Sequence, residues 1–158
     1  MPEKSSRRRI ALAADHGGRK LKDLLRDHLR RRGERVEDLG TDSDASVDYP
    51  DFAARLARLI QARRCDLGIL VCGTGIGMSI TANRFAGVRA ALCTSGFTAR
   101  MARAHNDANV LCLGERVTGP GEAIDILEAF LVTSFEGGRH ARRVRKIRAL
   151  TGGRRKSP

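Results

Sequence analysis

The chain has 158 residues and carries 30 Lys and Arg against 18 Asp and Glu, a formal net charge of +12. This length suits one domain, and a hydrophobic content of 41% can fill its core, which excludes a wholly disordered chain and a small disulfide-stapled scaffold. No apolar run approaches the roughly 18 residues of a membrane span, and the first apolar run is too short for a signal peptide. We therefore expect a cytoplasmic protein that does not bind membranes.

The positive charge is concentrated at the two ends of the chain. Residues 1–9 carry a net +3 and residues 137–158 a net +9, so the segment between them is formally neutral. We divide the chain into a basic N-terminal extension (1–9), one domain (10–150) and a basic C-terminal tail (151–158). Such a tail either stays solvated or binds a polyanion. With one Tyr and no Trp there is no evident stacking platform for bases, so nucleic acid is not expected as a partner.

The helices and strands are predicted from apolar spacing. Five short apolar runs predict strands, at residues 10–14, 35–39, 67–72, 88–93 and 109–113. A first helix that ends at Gly33 is predicted from four leucines: Leu21, Leu24, Leu25 and Leu29. A second helix begins at Pro50, and its inner face is predicted to consist of Phe52, Leu56, Leu59 and Ile60. Further helices are predicted over residues 77–85, 96–105 and 120–134.

This alternation of strands and helices is typical of a parallel sheet that is covered on both faces and joined by right-handed crossovers. The sequence therefore predicts an α/β fold with a doubly wound, five-stranded parallel sheet of the Rossmann-like kind. After Gly137 and Gly138, a final Arg-rich helix has too few apolar positions to pack fully against the sheet. We expect this C-terminal helix to protrude from the domain.

Ligands of open parallel sheets bind beyond the carboxyl ends of the strands. Three predicted strands end there in polar or glycine-rich segments, at residues 15–18, 72–77 and 114–116. The turn Gly73-Thr74-Gly75-Ile76-Gly77 is not a P-loop, because no Lys-Ser or Lys-Thr pair follows, and its GxGxG spacing is a poor dinucleotide fingerprint. Its glycines serve either a tight turn or backbone amides that hold an anion.

The cysteines show no CxxC pair and no metal-binding spacing, so reduced thiols are expected at positions 65, 72, 93 and 112. Cys72 stands between the third strand and the glycine-rich turn. It is either a buried strand-end residue or a reactive thiolate, since the positive end of the following helix would favour the ionised form.

Other polar residues allow two interpretations each. His105 is either a surface or capping histidine or a catalyst, and Asp15 and His16 either cap a helix or line a site. Arg139 and Arg143 are one helical turn apart, which suits two guanidinium groups on one phosphate, although such pairs are often only solvated. A metal site is disfavoured, because no i, i+4 pair on a helix exists among the candidate ligands: Asp15, His16, His105 and Asp107.

Eight motifs follow one another in the chain: Ala14-Asp15-His16-Gly17-Gly18, Gly40-Thr41, Asp48-Tyr49-Pro50, Cys72-Gly73-Thr74-Gly75-Ile76-Gly77, Ala82-Asn83-Arg84, His105-Asn106-Asp107-Ala108-Asn109-Val110, Gly114-Glu115-Arg116 and Glu136-Gly137-Gly138-Arg139-His140. In this order they resemble the motifs of type B ribose-5-phosphate isomerases, a family that includes galactose-6-phosphate isomerase subunits and related sugar-phosphate isomerases. The resemblance runs from about Arg9 to Leu150.

The resemblance implies an aldose-ketose isomerase that uses neither a metal nor a cofactor and works through an enediolate. It implies that Cys72 is the base, that residues 73–77 hold the developing oxyanion with the hydroxyl of Thr74, and that His105 opens the sugar ring. The residues implied to contact the sugar are Asp15, His16, Tyr49 and Asn106. Those implied to hold the phosphate are Arg116, Arg139 and Arg143. The family also implies a homodimer with active sites shared between subunits, with pairing of dimers into a tetramer left open.

Two details bear on the base and the substrate. Some members of the family carry a Glu base on the helix after the turn, but here that helix begins Met78-Ser79-Ile80, so Cys72 is the base candidate at this turn. Galactose-6-phosphate subunits generally lose parts of the stretch 105–109, and its presence favours a pentose phosphate, most simply ribose 5-phosphate. Residues 94–98 depart from the family pattern, which leaves four- and six-carbon sugar phosphates open. A non-catalytic module that binds polyanions through its basic C-terminal segment is the alternative from a different class.

Overall fold

A five-stranded, all-parallel sheet forms the centre of the computed structural model, which describes residues 7–152. The strands are β1 (Arg9–Ala14), β2 (Arg35–Asp38), β3 (Leu67–Cys72), β4 (Ala90–Leu92) and β5 (Val110–Gly114). The helices are α1 (Arg19–Arg31), α2 (Tyr49–Gln61), α3 (Ile76–Ala82), α4 (Gly96–Asn106), α5 (Pro120–Val132) and α6 (Arg139–Gly152). The predicted doubly wound α/β fold is confirmed. Most of the predicted N-terminal extension and of the C-terminal tail lies outside the described residues.

The order of the strands determines where a ligand can bind. The sheet has the order β2-β1-β3-β5-β4. Helices α1, α4 and α5 contribute to the core on one face, and α2 and α3 to the core on the other. With this strand order, helices on these two faces give βαβ crossovers that all have the same hand. This agrees with the general preference for right-handed βαβ units. The chain leaves β1 and β3, which are neighbours, in opposite directions, so the crevice for a ligand opens at their carboxyl ends.

The inner face of α2 differs in part from the predicted one. Leu56 and Ile60 are buried as expected, but Phe52 and Leu59 are only partly buried, and Ala53 and Ala57 are buried in their place. Two small side chains let the helix approach the sheet closely, and Leu56 packs directly onto Gly68 of β3. The side chain of Leu56 thus fills the space that a side chain at position 68 would occupy.

Helix α1 buries a lysine that its apolar spacing assigns to the polar face. Lys22 is 1% exposed, and its Nζ lies 2.8 Å from both carboxylate oxygens of Asp38 and 2.9 Å from Oδ1 of Asp23. The two carboxylates compensate the buried ammonium group, which would otherwise be costly to desolvate. This cluster ties the helix to the end of β2.

The edge strand β4 is shorter than the predicted run at 88–93. The side-chain amide of Asn83 donates to the carbonyl of Ala90 at 2.9 Å, and its carbonyl accepts the N–H of Ala90 at 2.8 Å. Asn83 thereby satisfies the polar groups of an edge residue that would otherwise be free to pair with another strand.

Helix α6 packs against α4 with its first turns only. His140 and Val144 are buried, whereas Ile147 is 46% and Leu150 is 80% exposed. The expected protrusion of this helix is therefore observed in its second half. Within residues 7–152, none of the helices combines the length and the apolar character needed to cross a bilayer.

Candidate active site

The loops after β1, β3 and β5 lie together at the carboxyl edge of the sheet, and backbone hydrogen bonds join the loops after β3 and β5. The N–H of Glu115 donates to the carbonyl of Cys72 at 2.9 Å, and the N–H of Arg116 donates to the carbonyl of Gly73 at 3.0 Å. Gly17, in the loop after β1, faces the same turn, since a Cβ added to it would lie 3.5 Å from the nitrogen of Gly73. The three segments predicted to carry a ligand site therefore meet, and we refer to them, together with Tyr49, as the carboxyl-edge site.

Cys72 is the last residue of β3, and its sulfur accepts a hydrogen bond within the site. The side chain is 5% exposed, and the N–H of Gly75 donates to Sγ at 3.1 Å. Gly75 has a φ of +79° and packs against the backbone of Leu113, so a glycine is needed to place its N–H there. The sulfur of Cys72 therefore has a direct amide partner in the turn and does not depend on the dipole of α3, which has only seven residues.

The other three cysteines lie in environments that keep them protonated. Burial raises the pKa of Cys65 and of Cys93 to about 11, and it raises the pKa of Cys112 as well. Desolvation penalises the thiolate form in each case. These three residues are buried free thiols that pack as small apolar groups in the core.

Polar side chains surround the glycine-rich turn. The buried carboxylate of Asp15 accepts the N–H of Gly17 at 2.9 Å, so Asp15 also organises the start of α1. The N–H of Val47 donates to Nδ1 of His16 at 3.2 Å. This contact fixes the orientation of the His16 ring and uses Nδ1 as an acceptor, so Nε2 is the ring nitrogen that it leaves without this partner.

Tyr49 and Arg116 border the turn from two sides. A Cβ added to Gly77 would lie 2.5 Å from Cζ of Tyr49, so the ring of Tyr49 rests on the backbone of the turn. A Cβ added to Gly73 would lie 3.3 Å from Nη1 of Arg116, so the guanidinium group covers the other end of the turn. The N–H of Ile76 donates to Oγ1 of Thr74 at 3.2 Å, which leaves the Thr74 hydroxyl hydrogen available.

The remaining predicted site residues lie at the opposite edge of the sheet. His105 and Asn106 end α4 and precede β5, whereas Cys72 is paired with Gly114 at the end of β5. Four residue steps of a parallel strand separate the two levels, about 13 Å at roughly 3.3 Å per residue. A single chain therefore does not bring His105 and Asn106 to Cys72.

We call this second group the amino-edge cluster: His105, Asn106, Glu136, Arg139, His140 and Arg143. The rings of His105 and His140 stack with centroids 4.1 Å apart. Arg139 and Arg143 are exposed on α6 on either side of His140. Burial of the His140 ring lowers its pKa, and this is the largest cause of the shift. The neighbouring His105 and Arg139 lower the pKa of His140 further.

The structure does not bring together the four residues that the sequence analysis considered as metal ligands. Asp15 and His16 lie at the carboxyl edge, whereas His105 and Asp107 lie at the amino edge. Asp107 is instead paired with two arginines, since its carboxylate lies 3.3 Å from both Arg89 and Arg103. Glu136 and His140 were not among the predicted functional residues, although their i, i+4 spacing was visible in the sequence.

Comparison with known proteins agrees with this geometry. Residues 10–147 match the family described as Ribose/Galactose Isomerase. The chain is 46% identical to ribose-5-phosphate isomerase B of Escherichia coli, over 90% of this chain and 96% of the relative. It is 50% identical to a probable ribose-5-phosphate isomerase B of Mycoplasma pneumoniae, over 87% and 91% of the two chains.

Solved structures show the same similarity. The ribose-5-phosphate isomerase B of Clostridium thermocellum superposes with a TM-score of 0.90 at 50% identity, covering 91% of this chain and 97% of the other. The ribose 5-phosphate isomerase of Thermotoga maritima gives a TM-score of 0.87 at 51% identity, with coverages of 89% and 97%. The resemblance inferred from the motifs is thereby confirmed: this chain belongs to the Ribose/Galactose Isomerase family of sugar-phosphate isomerases.

Proposed function

We propose that the protein interconverts ribose 5-phosphate and ribulose 5-phosphate through an enediolate, with Cys72 as the base. The observation that carries this proposal is the hydrogen bond from the N–H of Gly75 to the sulfur of Cys72, at 3.1 Å. A proton next to a carbonyl is weakly acidic, so its removal needs a positioned base together with donors for the oxyanion that forms. The thiol and the adjacent turn offer both.

In the proposed reaction the Cys72 thiolate takes the proton from C2 of the open-chain aldose. The electron pair of the C–H bond forms the C1–C2 double bond, and the carbonyl oxygen O1 becomes the oxyanion. The amides of residues 73–77 and the hydroxyl of Thr74 stabilise that charge. The thiol then returns the proton to C1, and the hydroxyl proton of O2 moves to O1, which leaves a ketone at C2.

The carboxyl-edge site also offers groups for the rest of the substrate. Asp15, His16 and Tyr49 present a carboxylate, an imidazole N–H and a phenol toward the sugar hydroxyls. The guanidinium group of Arg116 adds positive charge beside the turn, as a phosphorylated substrate requires.

We infer that the amino-edge cluster completes the active site of a second copy of the chain, in a homodimer. The separation of the two groups along β5 leaves His105, Asn106, Arg139 and Arg143 to act on a neighbouring site. Exposed apolar residues near the carboxyl-edge site support such an interface, since Ile76, Ile80 and Phe97 are each more than half exposed. Apolar surface of this kind commonly marks a protein interface.

The reduced state of the four cysteines agrees with the proposed cytoplasmic location.

The choice of substrate is tested by assaying the purified protein with each of four sugar phosphates: ribose 5-phosphate, erythrose 4-phosphate, allose 6-phosphate and galactose 6-phosphate. We expect ribose 5-phosphate to give the highest kcat/KM. One carbon more or fewer changes binding by about 1–3 kcal/mol, so preferences of roughly 10- to 200-fold are expected. A higher kcat/KM for any of the other three would overturn the assignment of the pentose. No ketose from any of them would overturn the proposed isomerase activity.

The role of His105 is tested by its effect on cyclic and acyclic substrates. Ribose 5-phosphate is mostly cyclic and must be opened, whereas ribulose 5-phosphate is acyclic. We therefore expect His105→Ala to lower kcat/KM for ribose 5-phosphate by about 10²-fold or more, the usual contribution of an acid-base group, and to affect ribulose 5-phosphate far less. Initial rates in the two directions measure the difference. Equal losses would assign His105 a structural role.

The contact between Tyr49 and the turn predicts a second effect on activity. In Gly77→Ala the new methyl group would lie 2.5 Å from Tyr49 Cζ and 2.9 Å from its hydroxyl, so the ring must move. We expect kcat/KM to fall about tenfold or more, because small displacements in a site have large effects on rate. Gly121→Ala is the matched control, since a Cβ at Gly121 meets nothing within 4 Å. Unchanged kinetics in Gly77→Ala would show that the Tyr49 position is unimportant.

A further inference from the structure

We propose that His105, Glu136 and His140 form a binding site for a divalent transition-metal ion of the zinc class, and that an ion bound there inhibits the isomerase. The three residues lie in the last turn of α4, in the connection between α5 and α6, and in the first turn of α6. The inhibition rests on the proposed function, because it depends on ring opening by His105. The binding site itself does not.

The ligand atoms lie at separations that suit a tetrahedral ion. The two imidazole rings are parallel within 7°, and their Nε2 atoms lie 3.8 Å (His105) and 3.5 Å (His140) from Oε2 of Glu136. All three ligand atoms lie within 4.8 Å of one another. Both nitrogen–oxygen distances are too long for hydrogen bonds. Two ligands about 2.0–2.1 Å from a tetrahedral zinc ion stand roughly 3.4 Å apart. Because the lone pairs of the stacked rings lie in two parallel planes, both imidazoles must rotate out of the stack before their nitrogens can face one ion.

The backbone holds the three residues in this arrangement. The N–H of Glu136 donates to the carbonyl of Ala104 at 3.0 Å, which fixes the connecting segment to the end of α4. The N–H of His140 donates to the carbonyl of Gly137 at 3.0 Å, and the His140 ring is buried against α4. Metal binding therefore requires no rearrangement of the main chain, which keeps its entropic cost low.

The composition of the site selects the class of ion. Two imidazoles and one carboxylate suit Zn²⁺, Co²⁺ and Ni²⁺, whereas Mg²⁺ and Ca²⁺ prefer sites made of oxygen. Arg139 and Arg143 place positive charge beside the three proposed metal ligands. That charge disfavours hard cations, which are held by electrostatic attraction, more than ions that form strong bonds to imidazole nitrogen. Glu136 is exposed, so the fourth position is open to water or to an oxygen of the substrate.

An ion in this site would remove His105 from ring opening. A nitrogen that donates its lone pair to a metal cannot accept a proton, so Nε2 of His105 is blocked while the ion is bound. The acyclic substrate needs no ring opening. The ion should therefore inhibit the reaction of ribose 5-phosphate much more than that of ribulose 5-phosphate.

Binding is measured by equilibrium dialysis of Zn²⁺ against the full-length Cys72→Ala protein, in which the active-site thiol cannot compete as a ligand. We expect one ion per chain. In the same background, Glu136→Gln should weaken binding by at least about tenfold through loss of a ligand, while Glu122→Gln, which removes an exposed carboxylate elsewhere, should not. Equal affinity of the Glu136→Gln and Glu122→Gln proteins, or no binding in the Cys72→Ala background, would overturn the site.

Inhibition is measured with the otherwise unchanged enzyme in both directions. Zn²⁺ should lower the rate with ribose 5-phosphate at least about tenfold more than the rate with ribulose 5-phosphate, in line with the contribution of an acid-base group, and EDTA should restore it. Glu136→Gln, compared with its own metal-free rate, should need a higher concentration of Zn²⁺ for half-inhibition. Equal inhibition of both directions would overturn the inhibitory role. An enzyme with no metal-free activity would instead overturn the proposed function, and the dialysis result would still decide the site.

Discussion

The Cys72→Ala protein should retain less than about one hundredth of the wild-type kcat, because a positioned base typically contributes a factor of about 10² to 10⁴. The loss should appear in kcat and not in binding, since the base acts on the transition state. Ribitol 5-phosphate, which has no carbonyl group to react, should therefore bind the variant and the wild type with similar affinity. The assay compares initial rates in both directions at saturating substrate.

Cys93→Ala is the matched control for this substitution. Cys93 is also buried, at 2% exposure, and burial raises the pKa of its thiol to about 11, so it is not available as a thiolate at neutral pH. Its replacement should lower stability through a small cavity but leave kcat close to that of the wild type. A Cys72→Ala protein with more than about a tenth of wild-type kcat would exclude Cys72 as the base, because a base contributes more than that factor.

The fold was predictable because the apolar pattern of this chain has one consistent solution. The run Leu67–Cys72 is buried along its whole length, as expected for the middle of a parallel sheet. Leu21, Leu25 and Leu29 are buried on α1 as their spacing predicts. Lys22 was not predictable in this way, because its burial depends on Asp38, which lies on another element of the structure. Likewise, Asn83 limits β4 through a contact that apolar spacing does not show.

The carboxyl-edge site was predictable for a topological reason, and the distance between its residues and the amino-edge cluster was predictable for the same reason. Residues that follow a parallel strand lie at its carboxyl end, which is why Asp15, Cys72 and Arg116 come together. By the same rule, residues that directly precede a strand lie at the amino edge. His105 and Asn106 precede β5, so their distance from Cys72 follows from the order of elements alone. The stacking of His105 on His140 does not follow from this order, because the final helix was expected to protrude and its sequence does not show which element its first turn contacts.

Loss of Arg139 and Arg143 should strongly raise KM. A phosphate dianion held by two guanidinium groups is expected to lose on the order of 2–4 kcal/mol of binding when one is removed, from the strength of charge-assisted hydrogen bonds. The Arg139→Ala/Arg143→Ala protein should therefore be nearly inactive at ordinary substrate concentrations, although its Cys72 is intact. This variant and Cys72→Ala carry their defects at opposite edges of the sheet.

That separation makes the shared site testable by mixing the two inactive proteins under conditions that let subunits exchange. Each mixed dimer would contain one site in which both groups are intact and one in which both are damaged. With random exchange, half of the dimers are mixed, so activity should return to about a quarter of the wild-type value in a two-fold symmetric assembly. Mixing Arg139→Ala/Arg143→Ala with His105→Ala is the control, because both defects lie at the amino edge and no intact site can form. If tagged subunits exchange and the first mixture stays inactive, the arginines do not serve a neighbouring site, and the homodimer with shared sites is wrong.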